Sequence, residues 1–365
     1  MVYREPTQPT PRQRQETPVD PEQRLERLKK DRRDLFLAME NFWDGDKDAA
    51  FESLGETGVT IKGQHYDLVD FLGKGEYGAV FLAEHELPAG GTEAVVIKIS
   101  RPFDRRDQFL SEDGTSEDRA KASRARQQVR EFALQHTLGQ DGSPFAKLLD
   151  GQLIPHPDDT DRKVADRRIA VLVLEKIDGT NLADLIEETG DLSQHPDIVM
   201  QVALELTRAV DIMHKAGVVH SDVHTHQIII DDDFRARLLD FGLSQYIEPP
   251  QAKGVKYKKP VEGMVAGSPE FMPESVGDNS RSGNSPARDA YAVGRLLQHM
   301  LYGEAFKSGI DMNAKRVRTG NKVLREIDTI ATSLVRSTED PKAINIEQAL
   351  EKLTALSDSA QEVAA

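Results

Sequence analysis

The chain changes character near Gly179, and that one change limits what it can fold into. Before it, short runs of strand-forming residues recur: Tyr66–Leu72, Ala79–Ala83, Ala94–Ile99 and Ile169–Leu174. One helical stretch, Asp118–Leu138, interrupts them, and the charged insert 101–117 is expected to be a surface loop. After Gly179 the apolar residues take helical spacing. Pro196–Ala216 is apolar on nearly every face and stops at Gly217; Tyr291–Tyr302 is equally apolar and stops at Gly303. Three short strands, 217–220, 228–230 and 237–239, are expected between those two helices. A β-rich part followed by an α-rich part predicts an α+β protein of two lobes with a cleft between them.

The two ends read differently. Residues 1–20, rich in Pro and Gln, are expected to be a disordered tail, and 359–365 a short C-terminal tail. Residues 21–58 are expected to be a helical extension, with an apolar stripe of Leu25, Leu28, Leu35, Met39, Phe42 and Trp43 over 21–54. Composition removes several classes of function. The chain of 365 residues has no Cys, which excludes disulfides, a thiolate nucleophile and Cys-ligated metal. Its net charge of −15 argues against a nucleic-acid partner. No apolar run approaches the ~18 residues of a spanning helix, so no membrane partner is expected. With no secretory signal either, the expected location is the cytoplasm, or a host cytosol for a delivered effector.

Chemistry-bearing residues recur in order. Gly73-Lys74-Gly75-Glu76-Tyr77-Gly78-Ala79-Val80 carries three glycines whose backbone could approach phosphates. The residues after Gly78 read as a strand, which disfavours a dinucleotide fold, and an ordinary glycine-rich turn stays an equal alternative. Lys98 ends an apolar strand, either as a snorkelling edge residue or as a phosphate clamp beneath that loop. Glu131, flanked by Leu134 and Leu138 on the following turns, is either its carboxylate partner or a solvated helix residue. Asp222, in His220-Ser221-Asp222, and Asp240, in Asp240-Phe241-Gly242, lie at neighbouring hairpin ends. One carboxylate there can accept a hydroxyl proton and the other can hold Mg²⁺, although strand-end aspartates are also common turn residues. His220, His224 and His226 are not read as a metal cluster, and Asp231–Asp233 reads as a hairpin turn.

In this order and spacing the motifs resemble the protein kinase superfamily, in particular a Hanks-type serine/threonine kinase with a divergent catalytic loop, over about residues 65–355. Leu174-Glu175-Lys176-Ile177-Asp178-Gly179 is similar to the hinge. Gly267–Glu274 is similar to the substrate-positioning segment, and Asp289–Gly294 to the buried helix that braces the catalytic loop. The resemblance implies a bilobal kinase-like fold, with a small β-rich N-lobe and hinge over 59–178 and a larger α-helical C-lobe over 179–358. It implies ATP and Mg²⁺ as cofactors and Ser/Thr of a protein substrate as phosphate acceptor. Asp222 would be the base and Lys98 with Glu131 the phosphate clamp, with Asp240 and Gln227 as metal ligands. Gly73, Lys74, Gly75, Gly78, Val80, Lys98, Glu175, Ile177 and Asn181 would bind the nucleotide. Leu174 would be the gatekeeper, and Asn181 or Asp178 would reach the ribose.

Four departures mark this chain. Gln227 stands where the family has a metal-binding Asn, and His224 where serine/threonine kinases have Lys, as in small-molecule kinases. Ser221 replaces an Arg that would pair with a loop phosphate. The segment before Glu274 is one residue short, with no Arg in 340–344 to pair with it. A nucleotide-binding pseudokinase and a small-molecule kinase are therefore the alternative readings. Activity independent of loop phosphorylation is expected, with Lys253, Lys256, Lys258 and Lys259 keeping the loop extended. Control would come from the N-terminal helix or a regulatory partner there.

Overall fold

The computed structural model describes residues 21–44, 54–55, 58–75, 78–105, 107, 115–158, 166–247, 268–273, 285–303, 320–340 and 342–364. Expectations for the 1–20 tail, for 45–53, for Glu76 and Tyr77, for the loop lysines 253–259 and for Gly267 and Glu274 lie outside them.

The fold opens with helix α1 (Pro21–Asp44), then strands β1 (Val59–Ile61), β2 (Gln64–Lys74), β3 (Gly78–Glu86) and β4 (Thr92–Ser100). Next come β5 (Phe103–Asp104), helix α2 (Ser116–Leu138), β6 (Leu148–Pro155) and β7 (Arg167–Glu175). The seven strands form one antiparallel sheet ordered β1-β2-β3-β4-β7-β5, with β6 also paired to β7. Alternation drives it: along β4, Val95, Ile97 and Ile99 are buried while Val96 and Lys98 face the other way. The buried face packs on α1 through Leu35, Phe36, Ala38, Met39 and Phe42. Burial of each large side chain there is worth roughly 1.5–3 kcal/mol.

The second part holds β8 (Gly179–Asn181), α3 (Leu182–Thr189), α4 (Pro196–Lys215), β9 (Val218–Val219), β10 (Ile228–Asp231), β11 (Ala236–Leu238) and β12 (Gln245–Tyr246). Helices α5 (Pro286–Tyr302), α6 (Lys322–Val335) and α7 (Ile346–Ala364) complete it. Its core is a cluster built mainly from α4, α5, α6 and α7, and Leu134 and Leu138 of α2 insert into it. Helix α5 approaches α6 closely at Gly294, where a Cβ would lie 2.7 Å from the Ala331 carbonyl. The architecture is the expected α+β one, a curled sheet followed by helices.

Several expectations need correction. The insert 101–117 is not all surface loop: β5 pairs with β7, and Phe103 is buried against Ala125 and Ala170. One aromatic anchor was enough to pull a charged segment onto the sheet. Helix α5 begins at Pro286, five residues before the apolar run at Tyr291. Helix α7 continues through 359–364, where a tail was expected. The Asp231–Asp233 run does form the β10–β11 turn: Asp231 Oδ1 accepts from the amides of Asp233 (3.1 Å) and Arg235 (2.8 Å).

Candidate active site

Lys98 lies on β4 between Val80 of β3 and Leu172 of β7. From there its ammonium reaches two carboxylates of distant origin. It is ion-paired with Glu131 Oε1 from α2, and with Asp240 Oδ1 at 2.5 Å from the segment after β11. The Lys98 side chain is 15% exposed and that of Glu131 5%, so the pair is well shielded from water. Burial works against a charge on Lys98, but Asp240 and then Glu131 outweigh it and raise its pKa above the ordinary lysine value. Burial pushes Glu131 above the usual carboxylate range, because Lys98 only partly offsets it. Burial also opposes ionisation of Asp240, yet Lys98 outweighs it and holds that carboxyl below its ordinary value. The upper-lobe helix and the lower-lobe metal candidate thus meet on one cation.

The glycine segment arches beside this pair. The Gly75 amide donates to the Gly78 carbonyl at 2.9 Å, closing the turn between β2 and β3. A Cβ on Gly78 would lie 3.1 Å from the Ile99 carbonyl and 3.5 Å from Lys98 Cε, so glycine permits the close approach of the two strands at the lysine. Gly73 and Lys74 pair with Val80 and Ala79 across the hairpin. The Lys74 side chain is engaged elsewhere: its Nζ donates to the Phe42 carbonyl of α1 at 3.0 Å.

The catalytic-loop candidates are held from below. Asp289, buried on α5, accepts from the amides of His220 (2.7 Å) and Ser221 (2.8 Å) and contacts His214 Nε2 at 2.9 Å. Burial opposes its charge, but His214, His220 and the Ser221 amide together hold its carboxyl below the ordinary value. Ser221 carries φ of 70°, in the left-handed region that a residue with a Cβ rarely adopts. The two amide hydrogen bonds to Asp289 stabilise that turn, which leads directly into Asp222. The Ser268 amide donates to Asp222 Oδ1 at 3.0 Å, and His224 Nε2 lies 3.6 Å from Oδ2. Burial raises Asp222, yet His224, His220 and the Ser268 amide outweigh it, so the carboxyl sits below its ordinary value.

Asp240 also adopts a left-handed backbone, φ 58°, and its Oδ1 accepts from the Gly242 amide at 2.7 Å. Gln227 ends a single helical turn, 225–227, and its backbone carbonyl accepts from the Leu239 amide at 2.8 Å, which pins it beside Asp240. His220 Nε2 approaches the Leu239 carbonyl at 3.1 Å, and His224 lies beside Asp222; both histidines are engaged in shaping this loop.

At the hinge, the Glu175 amide donates to the Lys147 carbonyl at 3.0 Å, and the Glu175 side chain pairs with Arg237. Its amide is therefore committed to the segment that leads into β6. Leu174 and Ile177 are half-buried on either side. Asn181, one of the two residues expected to reach the ribose, has both side-chain polar atoms engaged in the fold. Its Oδ1 caps α3 by accepting from the Ala183 amide (2.9 Å), and its Nδ2 donates to the His226 carbonyl (2.9 Å). Asp178, the other ribose candidate, is exposed and pairs with Lys176. The reading missed His214, Lys147 and Arg237, which hold the site's backbone from outside it. No local pattern marks them, because their partners are 28 to 75 residues away in sequence.

A model of the protein kinase domain matches residues 161–363, more than half of the chain. The match begins just before β7, so the glycine segment, Lys98 and Glu131 lie upstream of it. The serine/threonine-protein kinase PknL of Mycobacterium tuberculosis (strain CDC 1551 / Oshkosh) is 33% identical over 140 residues, 38% of this chain and 32% of that protein. The LysM domain receptor-like kinase 10 of Oryza sativa subsp. japonica is 33% identical over 134 residues, 36% of this chain and 21% of that one. A probable serine/threonine-protein kinase PknB of Bifidobacterium longum is 28% identical over 136 residues, 37% and 18% respectively. The chain thus spans a third or less of the length of these relatives. Among the described residues no helix is long and apolar enough to cross a membrane. Matched by that domain over more than half its length, the chain belongs to the protein kinase domain family.

Proposed function

We propose that the chain is an ATP-dependent protein kinase that transfers the γ-phosphate to Ser or Thr of a protein substrate in the cytoplasm. The observation that carries this reading is the single cation, Lys98, shared by Glu131 and Asp240. The residues suit a metal-bound triphosphate. Lys98 is a shielded cation whose pKa is raised, and Asp240, whose Oδ1 accepts from Lys98 and the Gly242 amide, would be the carboxylate ligand of a metal. Gln227 offers a second carbonyl oxygen, one methylene longer than Asn. Mg²⁺ would neutralise the developing charge on the phosphoryl oxygens.

The protein's own residues supply the rest. Lys98 orients the phosphates, and Glu131 holds Lys98 in position. Asp222 has one oxygen tied to the Ser268 amide and the other 3.6 Å from His224 Nε2. Ionised at neutral pH, it would orient the acceptor hydroxyl and take its proton as the O–P bond forms. Asp289 keeps Asp222 at the right height by fixing the two preceding amides.

His224 beside Asp222 favours one second reading, phosphotransfer to a small molecule. The test is incubation of the full-length protein with γ-labelled ATP and a mixed protein substrate, then phosphoamino-acid analysis. Label on Ser or Thr is expected. Label on small-molecule acceptors alone, or nucleotide binding with no label at all, would replace the reading with one of its alternatives.

A further inference from the structure

We propose that Lys74 is a positioning residue, docking the glycine-rich turn onto the C-terminal end of α1, so that the N-terminal extension sets the height of that turn above the nucleotide. The inference rests on the ATP-dependent reading above for its kinetic consequence, though not for its structural one.

Helix α1 has no basic residue in its last turn. The final four carbonyls of a helix lack intrahelical partners and carry the negative end of its dipole. Phe42 belongs to that last turn, and its carbonyl accepts from Lys74 Nζ at 3.0 Å. The missing cation is thus supplied from a different element, 32 residues on, and that element is the start of the glycine turn. The same ammonium stands 5.1 Å from the centre of the Phe42 ring, within cation–π range.

The ring itself is part of a wedge. Phe42 lies 5.5 Å from Phe71 and 6.1 Å from Phe81 in edge-on geometry, and Phe71 and Phe81 are cross-strand partners 5.7 Å apart in β2 and β3. Those are the two strands that the turn joins. Phe42 and Phe81 are fully buried, and Phe71 covers them from the exposed side. Helix α1 is held at its other side by Arg33, whose guanidinium grips both oxygens of Asp158 beyond β6. The turn is therefore fastened to a helix that is itself anchored twice. A lysine reaching for phosphate directly would face the cleft; this one is turned onto the extension.

The test compares full-length wild type with Lys74→Met, Lys74→Arg and Phe42→Leu, all checked for an intact thermal transition. Hydrogen exchange is followed without nucleotide over residues 71–75 and 78–81, and KM for ATP and kcat are measured alongside. Lys74→Met and Phe42→Leu should each speed exchange in this hairpin. Each should raise KM about fivefold, the worth of one modest contact, with kcat within about twofold. Lys74→Arg should restore both readouts, and the double variant should be no worse than either single one. Unchanged exchange in both variants overturns the inference. So does a raised KM in Lys74→Met with none in Phe42→Leu, which would place Lys74 on the nucleotide itself. A wild type that fails to bind nucleotide would sink the kinase reading while leaving the exchange result to decide the docking.

Discussion

The two lobes hold their halves of the site by opposite means. Below the cleft, the loop of His220–Asp222 rests on α5 through buried hydrogen bonds to Asp289, inside a core of four helices. Above it, α2 has a polar inner surface: Gln127, Gln128, Glu131 and Gln135 are all buried. Its apolar hold is divided: Ala125, Val129 and Phe132 pack with Phe103, Leu153 and Ala170 of the sheet, while Leu134 and Leu138 reach into the lower core. What keeps Glu131 in place is charge, through Lys98. The lower half is fixed by a large core that forms with the fold; the upper half combines a small apolar cluster, one ionic junction and α1. Such an arrangement predicts that changes above the cleft alter the geometry around Lys98, while loss of a lower-lobe brace costs the fold itself.

The largest expected effect separates chemistry from structure. Asp222→Asn should lower phosphotransfer by about 10²–10⁴-fold while leaving the thermal transition close to that of wild type, since on the proposed reading the group would act on the acceptor hydroxyl. Steady-state rates and a melting curve check this together. Asp289→Asn should instead destabilise the lower lobe by about 3–5 kcal/mol, as expected when one partner of a buried polar set is removed. Chemical denaturation at neutral pH measures it. Because the folded-state pKa of Asp289 is depressed, its stabilisation is complete above the unfolded value near 3.8 and fades as pH falls through the lower folded value. The gap between wild type and Asn variant should therefore close in acid.

Gln227→Asn should raise turnover at limiting Mg²⁺ by about tenfold, because a shorter arm suits the tight metal–oxygen distance of about 2.0–2.1 Å; a titration of rate against Mg²⁺ decides it. The smallest effect belongs to α2. Thr115 and Asp118 form a capping box at its start, with the Asp118 amide donating to Thr115 Oγ1 at 3.1 Å. Thr115→Ala should cost about 1 kcal/mol. If it weakens nucleotide binding as well as stability, α2 is as loosely held as the contrast between the lobes requires.

The order of the motifs singled out Lys98, Glu131 and Asp240, which the fold brings together. Lys98 follows from an apolar strand ending in a cation, and Asp222 and Asp240 from strand ends a short hairpin apart. Helix α6 was readable too: Asn321 caps it, and Leu324, Ile327, Ala331 and Leu334 keep helical spacing, although it was not singled out. Strand β6 was not, because most of its residues are half-buried with no alternation, and its register is imposed by β7. The structural use of Asn181 and the docking of Lys74 were hidden for a similar reason. Each depends on an element brought near only by the folded chain, the His226 carbonyl for one and the end of α1 for the other.

The ionic junction is tested most directly at Lys98. Transfer from γ-labelled ATP, nucleotide affinity and thermal stability are to be measured on the same preparations of wild type and Lys98→Met. The expected result is a wild type that transfers phosphate and a variant slowed by about 100-fold or more, still folded, with Glu131 no longer held beside Asp240. A wild type that binds nucleotide without transfer, or a Lys98→Met variant that transfers as fast as wild type, would contradict it.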